Sequence, residues 1–297
     1  MTTPLLSVII PTHNRPHLLP RAVQSALEQT FADLEVIVVD DASTEPVQLP
    51  DQPRLRVIRL DPGRGGAAAR NAGTEAAQGH WVTYLDDDDY WLPHMAEVSM
   101  AAIAQSSLTP PIAVISGIEV VKANGEISHK RVPPPLRMKG CSFSLEDLEP
   151  GHSYLTKQTL VVERSTIQQI GGWDESFRSR VHSELFLRLN PVCTIIGIPD
   201  VTYRLCSHDE QRVSENLTLR QKSFHQLIDK HRAAFEAHPK MFADFVFNHA
   251  SKCYQKGQWQ LAIASLLWAF SINPTQVVRR TAPAKLTDFL QKIQSVG

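Results

Sequence analysis

The sequence predicts an α/β sandwich around a mostly parallel, Rossmann-like sheet flanked by helices, followed by a helical appendage. Three observations predict it. The runs LLSVII (residues 5–10) and LEVIVVDD (34–41) are continuously apolar, as strands covered on both faces are. Segments with helical spacing alternate with such runs. Several of the runs end in polar residues, and ligands of such sheets bind beyond the carboxyl ends of the strands.

The elements follow in order. HLLPRAVQSALEQT (17–30) puts Leu19, Val23, Ala26 and Leu27 on one side, which predicts a helix. RLRVIRLD (54–61) supplies a third strand and GGAAARNAGTEAAQG (65–79) a second helix bracketed by glycines. HWVTYL (80–85) is a fourth strand. PHMAEVSMAAIAQS (93–106) is the next helix, with Pro93 suited to its first turn. IAVISGIEVVKANGEISHK (112–130) reads as a hairpin, with Asn124-Gly125 able to take the positive φ values of a tight turn. RVPPPLRMKG (131–140) is a proline-rich loop. TKQTLVVERSTIQQIGGWDESF (156–177) reads as strand, short helix and glycine turn. SELFLRL (183–189) is a short helix and CTIIGIPDVTYRL (193–205) an extended segment. Beyond about residue 215 the spacing is helical. QKSFHQLIDKHRAAFEAH, KMFADFVFNHASKCYQKG, QWQLAIASLLWAFSINP and AKLTDFLQKIQ are the candidate helices. The pair around Gly257, closed by Pro274, resembles one tetratricopeptide unit, too little for a repeat array.

Composition excludes several classes. The 297 residues carry a net charge of -1, without the basic excess that nucleic-acid binding requires. The longest apolar stretches run to about a dozen residues, where a membrane span needs ~20. The N-terminus has no basic region ahead of its apolar run, so a secretory signal is not expected. Cys141, Cys193, Cys206 and Cys253 form no CxxC pair. Reduced thiols in a cytoplasmic protein are expected, without zinc.

The sharpest feature is YLDDDDYW (84–91). In an extended chain Asp86 and Asp88 point one way, Asp87 and Asp89 the other. Two carboxylates on one side need a cation or a raised pKa. A divalent ion such as Mn²⁺ or Mg²⁺, held together with substrate phosphates, relieves the repulsion. The competing reading is a solvated turn at the start of the following helix. The neighbouring strand ends, PTHN and Asp40-Asp41, favour the metal.

SVIIPTHNRPHLLPRAVQSALEQT, LEVIVVDDAST, GGAAARNAG and YLDDDDYW, in this order, resemble the nucleotide-sugar-binding half of bacterial family 2 inverting glycosyltransferases with the GT-A fold. GGWDESF and ELFLRL resemble the acceptor-side segments of that family. The resemblance covers about residues 5–215. It implies a catalytic domain over 1–215, with a nucleotide-sugar half (1–106) and an acceptor half (107–215), and a helical region over 216–297.

The resemblance also implies roles. Pro11, Thr12, Asn14 and Arg15 would line the nucleotide pocket. Asp40 would lie by the base, with Asp41 beside it, and Arg70 and Asn71 by the nucleotide and sugar. Asp86 and Asp88 would form an Asp-x-Asp motif with Asp87 between them, Asp86 nearer the ribose and Asp88 on the metal. His208 would reach the metal or diphosphate, with Arg212 adding charge there. Trp173 and Asp174 would shape the sugar and acceptor pocket. Each has a competitor: Asp41 and Ser43 as turn or helix caps, Arg70 as a surface arginine, Gly65 and Gly66 as a helix start, Trp173 as plain core, His208 as a loop histidine.

The general base is where the pattern breaks. The family carries it as the Asp of an ED pair, two residues before the acid preceding LWLRL. Here RVHSELFLRL places His182 at that position and Val181 before it. Histidine, with an ordinary pKa of ~6.5, suits a base near neutrality. Glu184 is the second candidate, with a first-turn acid paired to Arg188 as its competing reading. The function implied is metal-assisted transfer, with inversion, of a sugar from a nucleoside diphosphate donor, uridine-linked by preference. The acceptor would be a hydroxyl of a glycan or lipid-linked glycan in polysaccharide synthesis. A nucleotidyltransferase is disfavoured because PTHNRP lacks a glycine-rich loop. A nucleotide-sugar-binding protein without a base stays open. The expected location is cytoplasmic. The helical tail leaves open docking on the inner membrane face, a partner subunit or its own catalytic domain. The loop over 131–153 is either an acceptor lid or a plain connection.

Overall fold

The computed structural model describes residues 3–207 and 216–281. They fall into two compact units, Met1–Phe143 with Leu148–Leu227, and Ser144–Asp147 with Ile228–Gly297.

In the first unit the expected order holds. Strands β1 (Leu6–Thr12), β2 (Leu34–Asp41), β3 (Leu55–Leu60) and β4 (Trp81–Tyr84) alternate with helices α1 (Leu19–Leu27) and α2 (Gly66–Ala76). Then come β5 (Tyr90–Trp91), α3 (Met95–Ala104), β6 (Ile112–Val121), β7 (Ile127–Arg131) and β8 (Leu136–Arg137). Strand β9 (Val161–Glu163), helices α4 (Arg164–Gln169) and α5 (Val181–Leu189), β10 (Thr194–Cys206) and α6 (Leu217–Lys230), as far as Leu227, complete it.

The sheet order is β3-β2-β1-β4-β9-β6-β10-β5. Strands β1 to β4 run parallel, as do β6 and β10, while β9 lies antiparallel to both β4 and β6. The sheet is therefore mixed, and β9 joins its two parallel halves. Continuous apolarity is explained by double coverage. Val8 and Ile10 pack with Leu19, Val23 and Met95 on one face. Ile9 packs with Ala69, Trp173 and Phe186 on the other. Successive side chains of one strand thus serve two cores.

The hairpin of β6 and β7 forms, but only Gly125 takes a positive φ (84°), so Asn124-Gly125 is not a paired left-handed turn. Strands β5 and β8, two residues each, were not expected from the sequence.

The second unit contains α7 (Arg232–Ala237), α8 (Pro239–Gln255), α9 (Trp259–Ile272) and α10 (Pro274–Arg280). The expected helix over 221–238 breaks at His231 into α6 and α7. Pro274 opens α10 rather than only closing α9, because Asn273 caps the new helix by accepting from Gln276 N. The candidate helix AKLTDFLQKIQ lies outside the described residues. No helix among the described residues is long and apolar enough to cross a membrane.

Candidate functional site

The four aspartates do not continue β4. Asp89 N donates to Asp86 O at 3.1 Å, which closes a turn and ends the expected alternation of side chains. Each carboxylate then finds its own partner. Asp86 pairs with Arg70. Asp87 accepts from Thr12 Oγ1 at 2.7 Å and from Arg15 Nη1 at 2.8 Å. Asp88 accepts from the same Arg15 Nη1 at 3.0 Å, while its carbonyl accepts from Arg21 at 2.8 Å. Asp89 turns inward, accepting from Tyr203 OH and Cys206 N, both at 2.8 Å. Burial raises Asp87 above the usual carboxylate range, with Arg15 and Thr12 opposing. Burial lowers Arg15, but its ion pairs with Asp87 and Asp88 outweigh this and raise it on balance.

The ends of β1 and β2 meet this turn. Pro11 and Thr12 lie within β1. Asn14 is left-handed (φ 54°), its N–H donates to Ser43 Oγ at 2.9 Å, and its side chain accepts from Thr44 N at 2.7 Å. Asp40 faces inward, 1% exposed, accepting from Ser43 N at 2.8 Å and Arg59 at 2.6 Å. Burial alone would raise it, but these donors hold it below the usual range. It is a loop former, which argues against its lying by a base. Asp41 accepts from the backbone N–H groups of Arg64 (2.6 Å) and Gly65 (2.7 Å), so it ties down the entry to α2. Gly65 has φ 95°, and a Cβ there would collide with the Arg178 guanidinium.

Arg70 and Asn71 are not surface residues of α2. Arg70 is 8% exposed, pairs with Asp86 and stacks 5.1 Å from the Trp173 ring centre. The Asn71 amide holds the Trp173 backbone, accepting from its N–H at 2.8 Å and donating to its carbonyl at 2.9 Å. Trp173 is 2% exposed and stands edge-on to Tyr84 and to His182, with ring centres 4.8 and 5.0 Å away. Asp174 accepts from Ser176 N and Oγ, shaping the adjoining turn.

His182 is half-buried in the first turn of α5, two residues after Arg180, which sits in left-handed backbone (φ 61°). Enclosure pushes its imidazolium down to about 4; Asp86 opposes, and the charges of Arg70 and Lys157 reinforce the shift. Lys157 is itself enclosed, donating to Tyr154 O at 2.7 Å, and burial pushes it down to about 7. His182 is therefore a neutral proton acceptor beside a carboxylate.

Glu184, the second candidate base, is engaged within its own helix. It is 1% exposed, and both its oxygens are held by Arg188, at 2.7 and 2.5 Å. Arg188 also donates to Ile170 O at 2.6 Å. A carboxylate so held is a structural acid, which argues against its serving as the base. Glu184→Ala should leave a largely buried guanidinium uncompensated and cost about 3–5 kcal/mol, read from the denaturant midpoint.

Asp86, Asp88 and Asp89 each offer an oxygen within 4.8 Å of the others. Hard carboxylate oxygens suit Mg²⁺ or Mn²⁺, so the donor set fits a divalent ion. The set differs from the expected pair of Asp88 and His208: Asp86, expected nearer the ribose, and Asp89 both enter it, and His208, with Arg212, lies outside the described residues. Sequence reading also missed Arg21, Tyr84 and Tyr203 as supports. For Tyr84 and Tyr203 the one available signal was their place near strand ends; Arg21 lies in the first turn of α1.

Residues 7–149 match the family model described as glycosyl transferase family 2. WcaA of Escherichia coli K12, named for colanic acid biosynthesis, is 40% identical over 104 residues, 33% of this chain and 37% of WcaA. An uncharacterized glycosyltransferase of Haemophilus influenzae is 27% identical over 224 residues, 74% of each chain. The chain thus spans just over a third of one relative and about three quarters of the other. In fold it resembles S. aureus TarS 1–349 in complex with UDP-GlcNAc, with TM-score 0.65 and 16% identity over 92% of this chain and 82% of that one. Sequence motifs, sheet and strand-end site thus point the same way: residues 7–149 are similar to glycosyl transferase family 2 domains.

Proposed function

We propose that the chain transfers a sugar, with inversion, from a uridine-linked nucleoside diphosphate donor to a hydroxyl of a glycan or lipid-linked glycan, in polysaccharide synthesis. The observation that carries this reading is one edge of the sheet where a three-carboxylate cluster, two largely buried arginines and a neutral histidine converge.

Asp88 and Asp86 would hold Mn²⁺ or Mg²⁺, with Asp89 bracing the turn through Tyr203 and Cys206. Bound there, the ion stabilises charge on the leaving diphosphate. Arg15 and Arg70 place fixed positive charge beside the same turn, suited to phosphate oxygens. Trp173, clamped by Asn71 and buried, backs Arg70 and His182 from the core. His182, neutral at pH 7, takes the acceptor hydroxyl proton on a ring nitrogen. The resemblance of TarS, crystallised with UDP-GlcNAc, supports a UDP-sugar donor.

Incubation with a panel of nucleotide sugars, with and without Mn²⁺, tests the proposal. Release of the nucleoside diphosphate from one donor in the presence of the ion is expected. Binding of a nucleotide sugar without hydrolysis or transfer, across the panel and a range of glycan acceptors, would leave the chain a binding protein.

A further inference from the structure

Arg15 is shared between two carboxylates of different standing. On one side it donates to Asp87 Oδ1 at 2.8 Å, and Asp87 is pinned from behind by Thr12 Oγ1 at 2.7 Å. On the other side it donates to Asp88 Oδ2 at 3.0 Å, and Asp88 belongs to the set able to hold a cation. Asp87 is thus a fixed anchor, and Asp88 is a ligand already engaged by a protein cation.

We infer that Arg15 is an exchangeable counter-ion: it occupies Asp88 before the donor binds and gives it up to the metal when a diphosphate arrives. This rests on the proposed metal and diphosphate site. A guanidinium and a divalent ion on one carboxylate repel each other, most strongly where water is scarce. Both carboxylates are buried, with side-chain exposures of 7% and 9%, against 19% for Arg15. Arginine binds phosphate oxygens as readily as carboxylates. Its release from Asp88 is therefore cheapest when phosphate replaces the lost partner, and its hold on Asp87 keeps the movement short. Metal and nucleotide then bind with positive coupling beyond their direct contact, and the coupling is reciprocal.

Mn²⁺ titrations without nucleotide, followed by the electron paramagnetic resonance signal of the free ion, test this on wild type, Arg15→Gln and Arg15→Lys. Thermal melts confirm that each protein is folded. Arg15→Gln should bind Mn²⁺ alone roughly 10-fold tighter than wild type, because a positive charge has left the ligand. Arg15→Lys keeps the charge but loses the two-sided reach, so Asp87 retains it and Mn²⁺ tightens ~3-fold. Adding UDP should then improve Mn²⁺ binding less in Arg15→Gln than in wild type. Unchanged or weaker binding of Mn²⁺ alone by the folded variants overturns the exchange while leaving the proposed function standing. Failure of all three proteins to bind Mn²⁺ with UDP present overturns the metal site, and the exchange with it.

Discussion

Asp88→Asn is expected to lower nucleotide-sugar turnover about 1000-fold, the kinetic equivalent of about 4 kcal/mol of transition-state stabilisation. The substitution removes a charge and keeps a shape. The amide oxygen of the introduced side chain can still accept from Arg15, which retains Asp87, so the turn should survive. The turn is also held by bonds that do not involve the Asp88 side chain: Asp89 N to Asp86 O, Tyr203 OH to Asp89, and Arg21 to the Asp88 carbonyl. The melting temperature should therefore move by no more than ~2–4 °C, the shift of roughly 1 kcal/mol in a domain of this size. Asp89→Asn separates site from scaffold. It disturbs bonds to Tyr203 and Cys206 at a fully buried position, so its loss should appear in the melt as well as in turnover. Turnover by Asp88→Asn within tenfold of wild type would remove the metal from the mechanism.

These expectations depend on details of unequal legibility. The parallel strands were readable because burial on both faces leaves no polar alternation, as Val8, Ile9 and Ile10 show by serving both cores. Convergence of polar strand ends followed from the same topology. The pairing of Glu184 with Arg188 was readable as helical spacing. The turn within the aspartates was not, because its partners come from far along the chain: Thr12 and Arg15 from the first strand end, Tyr203 and Cys206 from β10. Nor could the sequence say which of Asp40 and Asp41 faces inward. Arg59 on the neighbouring β3 and the Ser43 N–H decide that, by capturing Asp40. The two-residue β5 carries no periodicity to read, and β9 enters the sheet between strands distant from it in sequence. Position 182 was readable as an anomaly, but its chemistry depends on Arg70, Lys157 and Asp86 around it.

That surrounding gives the second large effect. His182→Ala should lower transfer about 10²–10⁴-fold, the range for losing a positioned base, while His182→Asp should recover much of it. An imidazole held near 4 is about as basic as an ordinary aspartate at ~3.9. On this proposal the pocket would make histidine an acceptor about as strong as the aspartate that the resemblance implies at this position. The pH profile follows with a definite sign. Above about 4 the ring is free to accept a proton, so transfer should be level from pH 5.5 to 7.5 and fall as pH drops through about 4. A histidine at its ordinary ~6.5 would instead lose most of its activity by pH 5.5. Stability carries the same signature. Between about 4 and ~6.5 the unfolded chain binds a proton at this residue and the folded chain does not, so stability falls as pH falls across that window. His182→Ala should flatten that slope, measured from denaturant midpoints at pH 4.5 and 6.5. If wild-type transfer halves near pH 6.5, with the slope unchanged in the variant, the ring is not the enclosed neutral base described here and the proton goes elsewhere.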